Sequence, residues 1–375
     1  MTAAAAFRKS DVALVLSDLG SGGAQRVATT LARHWLVAGR KVTFVTLAGT
    51  QSDFISPPPG AHRIVAGGIG VSRGPLAGLQ ANLRRIVALR RALRATGAPV
   101  AVAFVAPLAV QCVLAATGTG IRIIAAERND PARQSFGRIW NALRRIAYPR
   151  AALVTANTEA ALTTMASFVP AQKLMLTPNP LPEAVAGTAA TSDPRILLAV
   201  ARLHRQKGLD VLLDAVAEAG AQLAGWRVVI LGEGQERAAL QGQAAALGLA
   251  DRVVFAGAVP DPAPWFRAAA IFALPSRYEG MPNALLEAMA YGRPAVVTNA
   301  SPGPLRWVED DVTGLVVTAG DAHALATALI RLAGDNDLRR RLGDAAAARL
   351  AVARRSDDAL ARWATALGWQ EVATA

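Results

Sequence analysis

Short apolar segments alternate with helical patterns along nearly the whole chain, and this alternation constrains the fold more than any other feature. The apolar segments are rich in Val, Ile, Leu and Ala and have the length of buried strands. Strands that alternate with helices are typical of βαβ units, whose parallel sheets are covered on both faces. We therefore predict an α/β fold with strands at residues 12–16, 42–47, 100–104, 122–126, 153–155, 196–201, 227–231, 253–255, 270–274 and 295–298.

A proline-rich segment interrupts the alternation near the middle of the chain. Residues 177–182 read Thr-Pro-Asn-Pro-Leu-Pro, followed by a Gly, Thr and Ala stretch to Asp193, and prolines at this density continue neither a helix nor a central strand. The 375 residues also exceed the usual length of one domain. We therefore predict two doubly wound, Rossmann-like domains, 1–180 and 181–355, that face each other across a ligand-binding cleft.

The cysteine content and the hydropathy of the chain help to predict the cellular compartment of the protein. A single cysteine, Cys112, excludes an intramolecular disulfide and a Cys-x-x-Cys redox site, which fits a reducing compartment. Residues 98–116 are uncharged over nearly the length of a membrane span, but Pro99 and Pro107 divide them into a buried strand and a buried helix. The first residues offer no apolar run long enough for a signal peptide. We expect a cytoplasmic protein.

Positive charge is concentrated in the first half of the chain. The protein has a net charge of +13, and residues 1–181 hold 21 basic and 6 acidic residues, so that the remainder is slightly negative. Helical spacing in residues 79–95 predicts a basic amphipathic helix, with apolar Leu83, Ile86, Val87 and Leu93 and basic Arg84, Arg85, Arg91 and Arg94 on different arcs. A similar run contains Arg133, Arg138, Arg144, Arg145 and Arg150.

Two interpretations of this basic half stay open. A basic amphipathic helix is typical of a solvated face on a core helix, and also of a helix that contacts an anionic membrane surface. No aromatic residues are interleaved with the arginines of residues 79–95, which disfavours stacking on nucleic-acid bases. A membrane- or nucleic-acid-binding protein is therefore the non-enzymatic alternative, with the peripheral membrane version favoured.

A glycine-rich turn follows the first predicted strand. Residues 17–26 read Ser-Asp-Leu-Gly-Ser-Gly-Gly-Ala-Gln-Arg, and a helix is predicted from about Ala24. At such a turn the backbone N–H groups of Gly22 and Gly23 can approach an anion, helped by the helix dipole. The segment matches neither G-x-G-x-x-G nor a P-loop, so an ordinary tight turn is the alternative.

Two cations follow the first strand of the second half. Arg202 and Lys207 lie in Arg-Leu-His-Arg-Gln-Lys-Gly, directly after residues 196–201. Open α/β sheets bind ligands at the carboxyl ends of their strands, where two cations five residues apart can neutralise a diphosphate. The alternative is that both are solvated loop charges.

Two glutamates characterise residues 276–290, which read Ser-Arg-Tyr-Glu-Gly-Met-Pro-Asn-Ala-Leu-Leu-Glu-Ala-Met-Ala. Pro282 suits the first position of a helix, so Glu279 lies in the preceding loop and Glu287 on the helix. Apolar neighbours predict that Glu287 is buried, and a buried carboxylate needs partners such as ribose hydroxyls or, alternatively, a structural arginine. Backbone N–H groups near Gly280 and Met281 point to the helix start and can hold an anion or sugar oxygens.

Residues 301–304, Ser-Pro-Gly-Pro, form a rigid turn that we expect to line the same cleft. Residues 335–337, Asp-Asn-Asp, match a D-x-D metal pattern formally, but they begin a polar helical stretch and follow no buried strand, so we predict no metal site there. The four histidines share no spacing typical of metal ligands.

Together these segments resemble retaining glycosyltransferases of family 4, which have the GT-B fold of two facing Rossmann-like domains. The resemblance covers nearly the whole chain and is most specific where Glu279 and Glu287 stand with seven residues between them. It implies that Glu287 holds the donor ribose, Glu279 contacts the donor sugar, and Arg202 with Lys207 grips the diphosphate. Donor-binding residues would then be Gly22, Gly23, Gly280, Met281, Pro282, Asn283 and Glu287.

The resemblance also implies a reaction and its partners. A sugar would pass from a UDP- or GDP-linked donor to a glycan or lipid-linked acceptor hydroxyl, with retained configuration, no metal and no cofactor. Residues 356–375 would form a helix that crosses back to the N-terminal domain. The run Glu127-Arg128-Asn129 resembles that of enzymes for lipid-linked oligosaccharides, capsules or lipopolysaccharide, which makes Glu127 and Arg128 candidates for acceptor contacts.

Two departures from the family pattern affect these roles. Gln25 stands where the family commonly has Glu, and the acceptor region carries Glu127 to Pro131 where many members have a His. A nucleotide-sugar epimerase of similar build is the enzymatic alternative, and it would act on the donor without any acceptor.

Overall fold

The structure is a computed structural model that describes residues 9–68, 75–182 and 195–369. It divides the chain into two compact units, one formed by residues 1–180 with 358–375 and the other by residues 181–357. The predicted linker spans residues 177–193, and its residues 183–193 lie outside the described ranges. Among the residues that are described, no helix is both long and apolar enough to cross a bilayer.

The first unit contains a seven-stranded parallel sheet with the order β3-β2-β1-β4-β5-β6-β7. Alternate residues of the interior strand β1 (Val12–Leu16) enter two separate cores, Leu14 one and Val15 the other, because helices cover both faces of the sheet. The strands are β1 (Val12–Leu16), β2 (Val42–Thr46), β3 (His62–Val65), β4 (Val100–Phe104), β5 (Arg122–Glu127), β6 (Leu153–Ala156) and β7 (Leu174–Leu176).

Five helices connect these strands: α1 (Gly23–Val37), α2 (Pro75–Thr96), α3 (Ala106–Ala116), α4 (Arg138–Ala147) and α5 (Glu159–Met165). Helix α3 packs between α2 and α4 on one face of the sheet, while α1 contributes to the core on the other face. The uncharged stretch at 98–116 is the buried strand β4 followed by α3, as predicted.

The second unit contains a six-stranded parallel sheet with the order β10-β9-β8-β11-β12-β13. Its strands are β8 (Ile196–Val200), β9 (Arg227–Leu231), β10 (Val253–Gly257), β11 (Ile271–Leu274), β12 (Ala295–Thr298) and β13 (Leu315–Val317). Its helices are α6 (Leu209–Ala219), α7 (Arg237–Ala246), α8 (Ala263–Ala268), α9 (Asn283–Ala290), α10 (Pro302–Leu305), α11 (Ala322–Gly334) and α12 (Asn336–Arg355).

A last helix, α13 (Ala359–Leu367), returns to the first unit. Its Trp363 is fully buried and packs edge-on against Trp35 of α1, with ring centroids 6.4 Å apart. The side chain of Arg122 donates to the carbonyl oxygen of Leu367 at 3.3 Å. Helices α1 and α13 therefore share one hydrophobic core.

All ten predicted strands are confirmed to within two residues at each end, and the two Rossmann-like sheets are confirmed with them. Strands β3, β7 and β13 were not predicted. Each lies at the edge of its sheet. Strand β3 reads His-Arg-Ile-Val and lacks a continuous apolar run, whereas β7 and β13 are apolar but only three residues long.

The apolar arc predicted for α2 is divided between core and solvent. Leu93 is buried together with Leu89, whereas about half of each of the Leu83 and Val87 side chains is exposed. Arg144, which the sequence groups with the second basic run, is buried.

Candidate active site

In the second unit, the loops after β8 and β11 meet because these strands are neighbours and parallel. The backbone N–H of Arg277 donates to the carbonyl oxygen of Gln206 at 2.8 Å. The side chain of Gln206 in turn donates to the carbonyl oxygen of Tyr278 at 2.9 Å. Segments that the sequence assigned separately to the diphosphate and to the sugar therefore form one loop cluster.

An ion pair joins the two loops. Lys207 Nζ lies 2.6 Å from Glu279 Oε1, and the carboxylate oxygen also accepts a hydrogen bond from Ser276 Oγ at 2.7 Å. Glu279 is only 7% exposed, so these contacts take place largely away from bulk water. Removing one partner of a buried pair costs on the order of 3 kcal/mol, since the other charge stays buried alone.

Ser301 fixes the backbone of Glu279 from a third loop. Its hydroxyl accepts a hydrogen bond from the Glu279 N–H at 2.8 Å and donates to the Glu279 carbonyl oxygen at 2.9 Å. The sequence placed the 301–304 turn near the site without assigning a role to this hydroxyl. The partnership could not be predicted, because 22 residues separate the two positions.

Two glycines allow these loops to approach closely. A Cβ at Gly208 would lie 2.0 Å from the carbonyl oxygen of Pro275, and Gly208 also has a φ of +63°. A Cβ at Gly303 would lie 1.6 Å from the carbonyl oxygen of Gly280. The loop after β11 is therefore held between backbone segments on both sides, with space for no side chain at either position.

Arg202 lies in the same loop as Lys207, at the carboxyl end of β8, and its side chain is exposed. Next to it, His204 Nδ1 accepts a hydrogen bond from the backbone N–H of Gln206 at 3.1 Å. Burial, followed by the nearby charge of Arg202, lowers the pKa of His204. The neutral imidazole that this hydrogen bond requires is therefore favoured.

The start of α9 differs in two respects from the sequence-based prediction. Pro282 is the N-cap residue and not the first helical residue, which is Asn283. Glu287 was predicted to be buried, but its side chain is half-buried. The reason is that Asn283, Glu287 and Tyr291, at i, i+4 spacing, form one partly exposed stripe of α9. Gly280 and Met281 follow Glu279 in the same loop between β11 and α9, and both are buried.

The remaining predicted site residues belong to the first unit. Gly22 is the N-cap of α1 at the carboxyl end of β1, and its carbonyl oxygen accepts from the Arg26 N–H at 3.1 Å. The preceding turn is organised by Asp18, whose Oδ1 accepts from the Gly20 N–H at 2.8 Å and from the Gln25 side chain at 2.9 Å. Gln25, noted as a departure from the family pattern, thus stabilises the turn.

Glu127 ends β5 and is 1% exposed. Tyr148 donates its hydroxyl hydrogen to Glu127 Oε2 at 3.1 Å, and Arg144 NH1 lies 3.6 Å from the same oxygen. Burial raises the pKa of Glu127, and the charge of Arg144 with the Tyr148 hydrogen bond opposes this rise. No pattern in the sequence predicts these partners, which lie 17 and 21 residues further along the chain.

Arg128 is held by partners from three distant segments. Its guanidinium donates to the carbonyl oxygen and the hydroxyl of Thr177, and to the hydroxyl of Thr155 at 2.7 Å. It also lies over the ring of Trp363, 4.7 Å from the centroid. Burial lowers its pKa, although the guanidinium stays charged at neutral pH. These contacts link the end of β5 to Thr177, which follows β7, and to Trp363 of α13.

Asp335, the first residue of the D-x-D pattern, has a structural role. Its side chain accepts a hydrogen bond from the Leu338 N–H at 2.8 Å and so caps α12. Within the described ranges, no group of three or more His, Cys, Asp or Glu side chains is placed to hold a metal ion.

Two Rossmann-like units, each built on a parallel sheet covered by helices, are typical of the GT-B class of proteins. Comparison with known families gives the same class. The profile described as Glycosyltransferase Family 4 matches residues 21–184, and the profile described as Glycosyl transferases group 1 matches residues 182–349. The chain belongs to this family of glycosyltransferases.

Individual relatives cover different shares of the chain. A lipopolysaccharide core biosynthesis glycosyltransferase, LpsE of Rhizobium meliloti (strain 1021), is 37% identical over 153 residues, which are 41% of this chain and 44% of the relative. This match therefore spans less than half of the relative's length. The Campylobacter jejuni (serotype O:2) α-1,4-N-acetyl-D-galactosaminyltransferase that acts on an undecaprenol-linked saccharide is 24% identical over 334 residues, 88% of this chain and 91% of the relative.

A solved structure resembles the whole fold. The Anabaena protein Alr3699/HepE in complex with UDP and glucose has a TM-score of 0.77 at 18% sequence identity. The similarity covers 96% of this chain and 99% of the Anabaena chain. At this level of identity the likeness supports the fold.

Proposed function

We propose that this protein transfers a sugar from a nucleoside-diphosphate donor to an acceptor hydroxyl, with retention of anomeric configuration, during cell-surface glycan or glycolipid assembly. The observation that carries the proposal is the Lys207–Glu279 pair, which brings a cation and a carboxylate together at the carboxyl edge of the second sheet. Family membership and relatives that build lipopolysaccharide and lipid-linked saccharides support it.

Lys207 is suited to bind the donor diphosphate. An ammonium group has three N–H donors, and Glu279 accepts one of them. The other two can reach phosphate oxygens, together with the exposed guanidinium of Arg202 on the same loop. The Anabaena structure with UDP bound supports a uridine donor, although GDP-linked sugars fit the same diphosphate chemistry.

Glu279 would accept hydrogen bonds from donor-sugar hydroxyls, and the contacts of its backbone with Ser301 and of its carboxylate with Lys207 support this role. Glu287, on the partly exposed stripe of α9, accepts from the ribose hydroxyls, while Gly280, Met281, Pro282 and Asn283 line the helix start. In the first unit, Gly22 and Gly23 offer backbone N–H groups to an anion at the start of α1.

The chemical step needs no protein nucleophile. The bond between the anomeric carbon and the diphosphate oxygen breaks while the acceptor oxygen bonds to the same carbon on the same face. The acceptor proton passes to the departing phosphate oxygen. Lys207 and Arg202 stabilise the negative charge that develops on this leaving group, and one such contact typically contributes about 10²- to 10³-fold in rate.

On the acceptor side we propose that Glu127 and Arg128 act as positioning residues. Both are occupied by protein partners, so they shape the loop after β5 and do not themselves need to contact the acceptor. The acceptor would be a glycan or a lipid-linked saccharide, as in the Campylobacter relative, and the reaction would take place at the cytoplasmic face of the membrane.

Transfer can be tested with labelled UDP- and GDP-sugars and lipid-linked acceptors. We expect a product with the donor's anomeric configuration, and a rate about 10²- to 10³-fold lower in Glu279→Gln, because the amide loses the charge that orders the loop and the sugar. Arg277→Ala is the matched control, since Arg277 lies in the same loop but pairs with Asp210 on α6.

Two results would contradict this proposal. An epimerised nucleotide sugar formed from donor alone would identify an epimerase. A Glu279→Gln variant with the wild-type rate would exclude Glu279 from the donor site.

A further inference from the structure

The loop that carries Glu279 is held from two sides, because β11 pairs with both β8 and β12 and the loops after parallel neighbours lie side by side. On the β8 side, Lys207 contacts the carboxylate. On the β12 side, the contacts reach the backbone of the loop. Thr298 donates its hydroxyl hydrogen to the carbonyl oxygen of Ser276, and Ser301 bonds both polar backbone groups of Glu279. The side chain and the backbone of Glu279 therefore have separate supports.

Ser301 is the N-cap residue of α10, yet its side chain makes no capping hydrogen bond. A serine at this position ordinarily accepts from the N–H of the second or third helical residue. The third residue, Pro304, has no N–H, and the Ser301 hydroxyl contacts Glu279 instead, 22 residues earlier in the chain. Ser301 is only 4% exposed, so one hydroxyl satisfies two backbone groups inside the protein.

The carboxylate of Glu279 is held through one of its two oxygens. Lys207 Nζ and Ser276 Oγ both donate to Oε1, at 2.6 Å and 2.7 Å. Neither of these contacts involves Oε2, which leaves that oxygen for a hydroxyl of the donor sugar. The direction of Oε2 then depends on where the Glu279 backbone lies, and Ser301 holds this backbone at its N–H and its carbonyl oxygen.

We propose that Ser301 is a positioning residue for glycosyl transfer, which holds the backbone of Glu279 so that carboxylate oxygen Oε2 faces the donor sugar. This inference rests on the proposed function, in which Glu279 accepts hydrogen bonds from that sugar. Lys207 alone does not fix the carboxylate, since its ammonium group also binds the diphosphate. The hydrogen bonds of Ser301 join neutral groups and persist when the donor phosphates attract Lys207.

A positioning role predicts a slower reaction without a matching loss of nucleotide affinity. Ser301→Ala should lower the transfer rate at saturating donor by about tenfold or more, because the sugar is then misplaced relative to the acceptor. The affinities for UDP and GDP should stay within a few-fold of wild type, since Lys207 and Arg202 still bind the diphosphate. Initial rates and calorimetric titration of the full chain measure the two quantities.

Thr313→Val is the matched control. Thr313 is also 4% exposed, and its hydroxyl likewise accepts from a backbone N–H, that of Glu309 at 2.9 Å, and donates to a carbonyl oxygen, that of Trp307 at 3.2 Å. The same two kinds of hydrogen bond are therefore lost in the same unit, but they do not hold Glu279. We expect this variant to keep the wild-type transfer rate.

A double variant tests whether Ser301 acts through Glu279. Once the carboxylate has been replaced, its orientation no longer matters, so Ser301→Ala in the Glu279→Gln background should lower the rate by less than about threefold further. Ser301→Cys keeps the side-chain volume but is a weak hydrogen-bonding group, and it repeats the measurements if Ser301→Ala is too unstable to purify.

Four results would overturn the proposal: a wild-type rate in Ser301→Ala, an equal loss of rate in Thr313→Val, a parallel loss of nucleotide affinity, or an undiminished effect of Ser301→Ala in the Glu279→Gln background. The proposed function fails separately. Absence of transfer by wild type would contradict that function, whereas transfer that Ser301→Ala leaves unchanged would contradict only the role of Ser301.

Discussion

At the scale of single residues, His204 and His323 connect local electrostatics to stability in opposite directions. Burial lowers the pKa of His204 below its usual value of 6.5, whereas the hydrogen bond with Glu218 raises the pKa of the exposed His323. Near pH 6 the unfolded chain therefore binds more protons at position 204, and the folded chain binds more at position 323. Stability from His204 is lost as the pH falls below 6.5, and stability from His323 is lost as the pH rises.

Replacing each histidine separates the two effects. In His204→Asn the side-chain oxygen can still accept from the Gln206 N–H, and the loss of stability on acidification should become less steep. In His323→Asn it should become steeper, because a stabilising protonation is removed. Urea denaturation from about pH 5 to about pH 7.5 measures both slopes. Identical slopes in the two variants and in wild type would show that neither shift is present.

For single residues, the sequence predicted the candidate site positions better than the partners of their side chains. The residue types and spacing around Lys207, Glu279 and Glu287 were sufficient to select them. Their partners were not predictable, because Ser301 and Lys207 reach Glu279 only through the order of strands in the sheet. Glu287 was predicted to be buried because its neighbours are apolar, yet the stripe at i±4 was partly exposed.

At the scale of elements, the close contact between the loops after β8 and β11 depends on Gly208. In Gly208→Ala the new Cβ would meet the Pro275 carbonyl oxygen at 2.0 Å, so one loop has to move and the Lys207–Glu279 pair with it. We expect a loss of stability of about 3 kcal/mol and a fall in transfer rate of about 100-fold.

Gly248→Ala is the matched control for this substitution. Gly248 has a similar φ, +70°, but nothing lies within 4 Å of its Cβ position. It should therefore lose only about 1 kcal/mol, the conformational cost of a left-handed alanine, and keep its activity. Chemical denaturation and initial rates measure both variants, and equal losses would attribute the effect of Gly208→Ala to backbone strain alone.

Elements also differ in how well they could be predicted. Central strands such as β4 and β8 are buried on both faces, so their apolar runs are continuous and their limits were predicted closely. The edge strand β3 reads His-Arg-Ile-Val and is only partly buried, which leaves no periodic signal. Helix α2 was predicted from its spacing, but which apolar residues face the core depended on α3.

At the scale of the whole molecule, the chain repeats one architecture twice but places nearly all of its excess positive charge in the first repeat. The first unit carries the positive excess, whereas the second unit carries the Lys207–Glu279 pair and nearly equal numbers of basic and acidic residues. This division was visible in the sequence as a charge asymmetry. The role of each arginine could not be predicted. Arg128 donates to Thr177 and Arg144 lies next to Glu127 inside the first unit, whereas Arg84 and Arg91 are exposed.

Calorimetric titration with UDP and GDP shows whether Lys207 binds the diphosphate of the donor. Lys207→Met leaves the charge of Glu279 without its ion-pair partner, so the double variant Lys207→Met/Glu279→Gln serves as the control for folding. We predict that wild type and Glu279→Gln bind each nucleotide with affinities within a few-fold of each other, and that both variants lacking Lys207 lose at least tenfold in affinity. Wild-type affinity for UDP and GDP in the folded double variant would show that Lys207 does not bind the diphosphate.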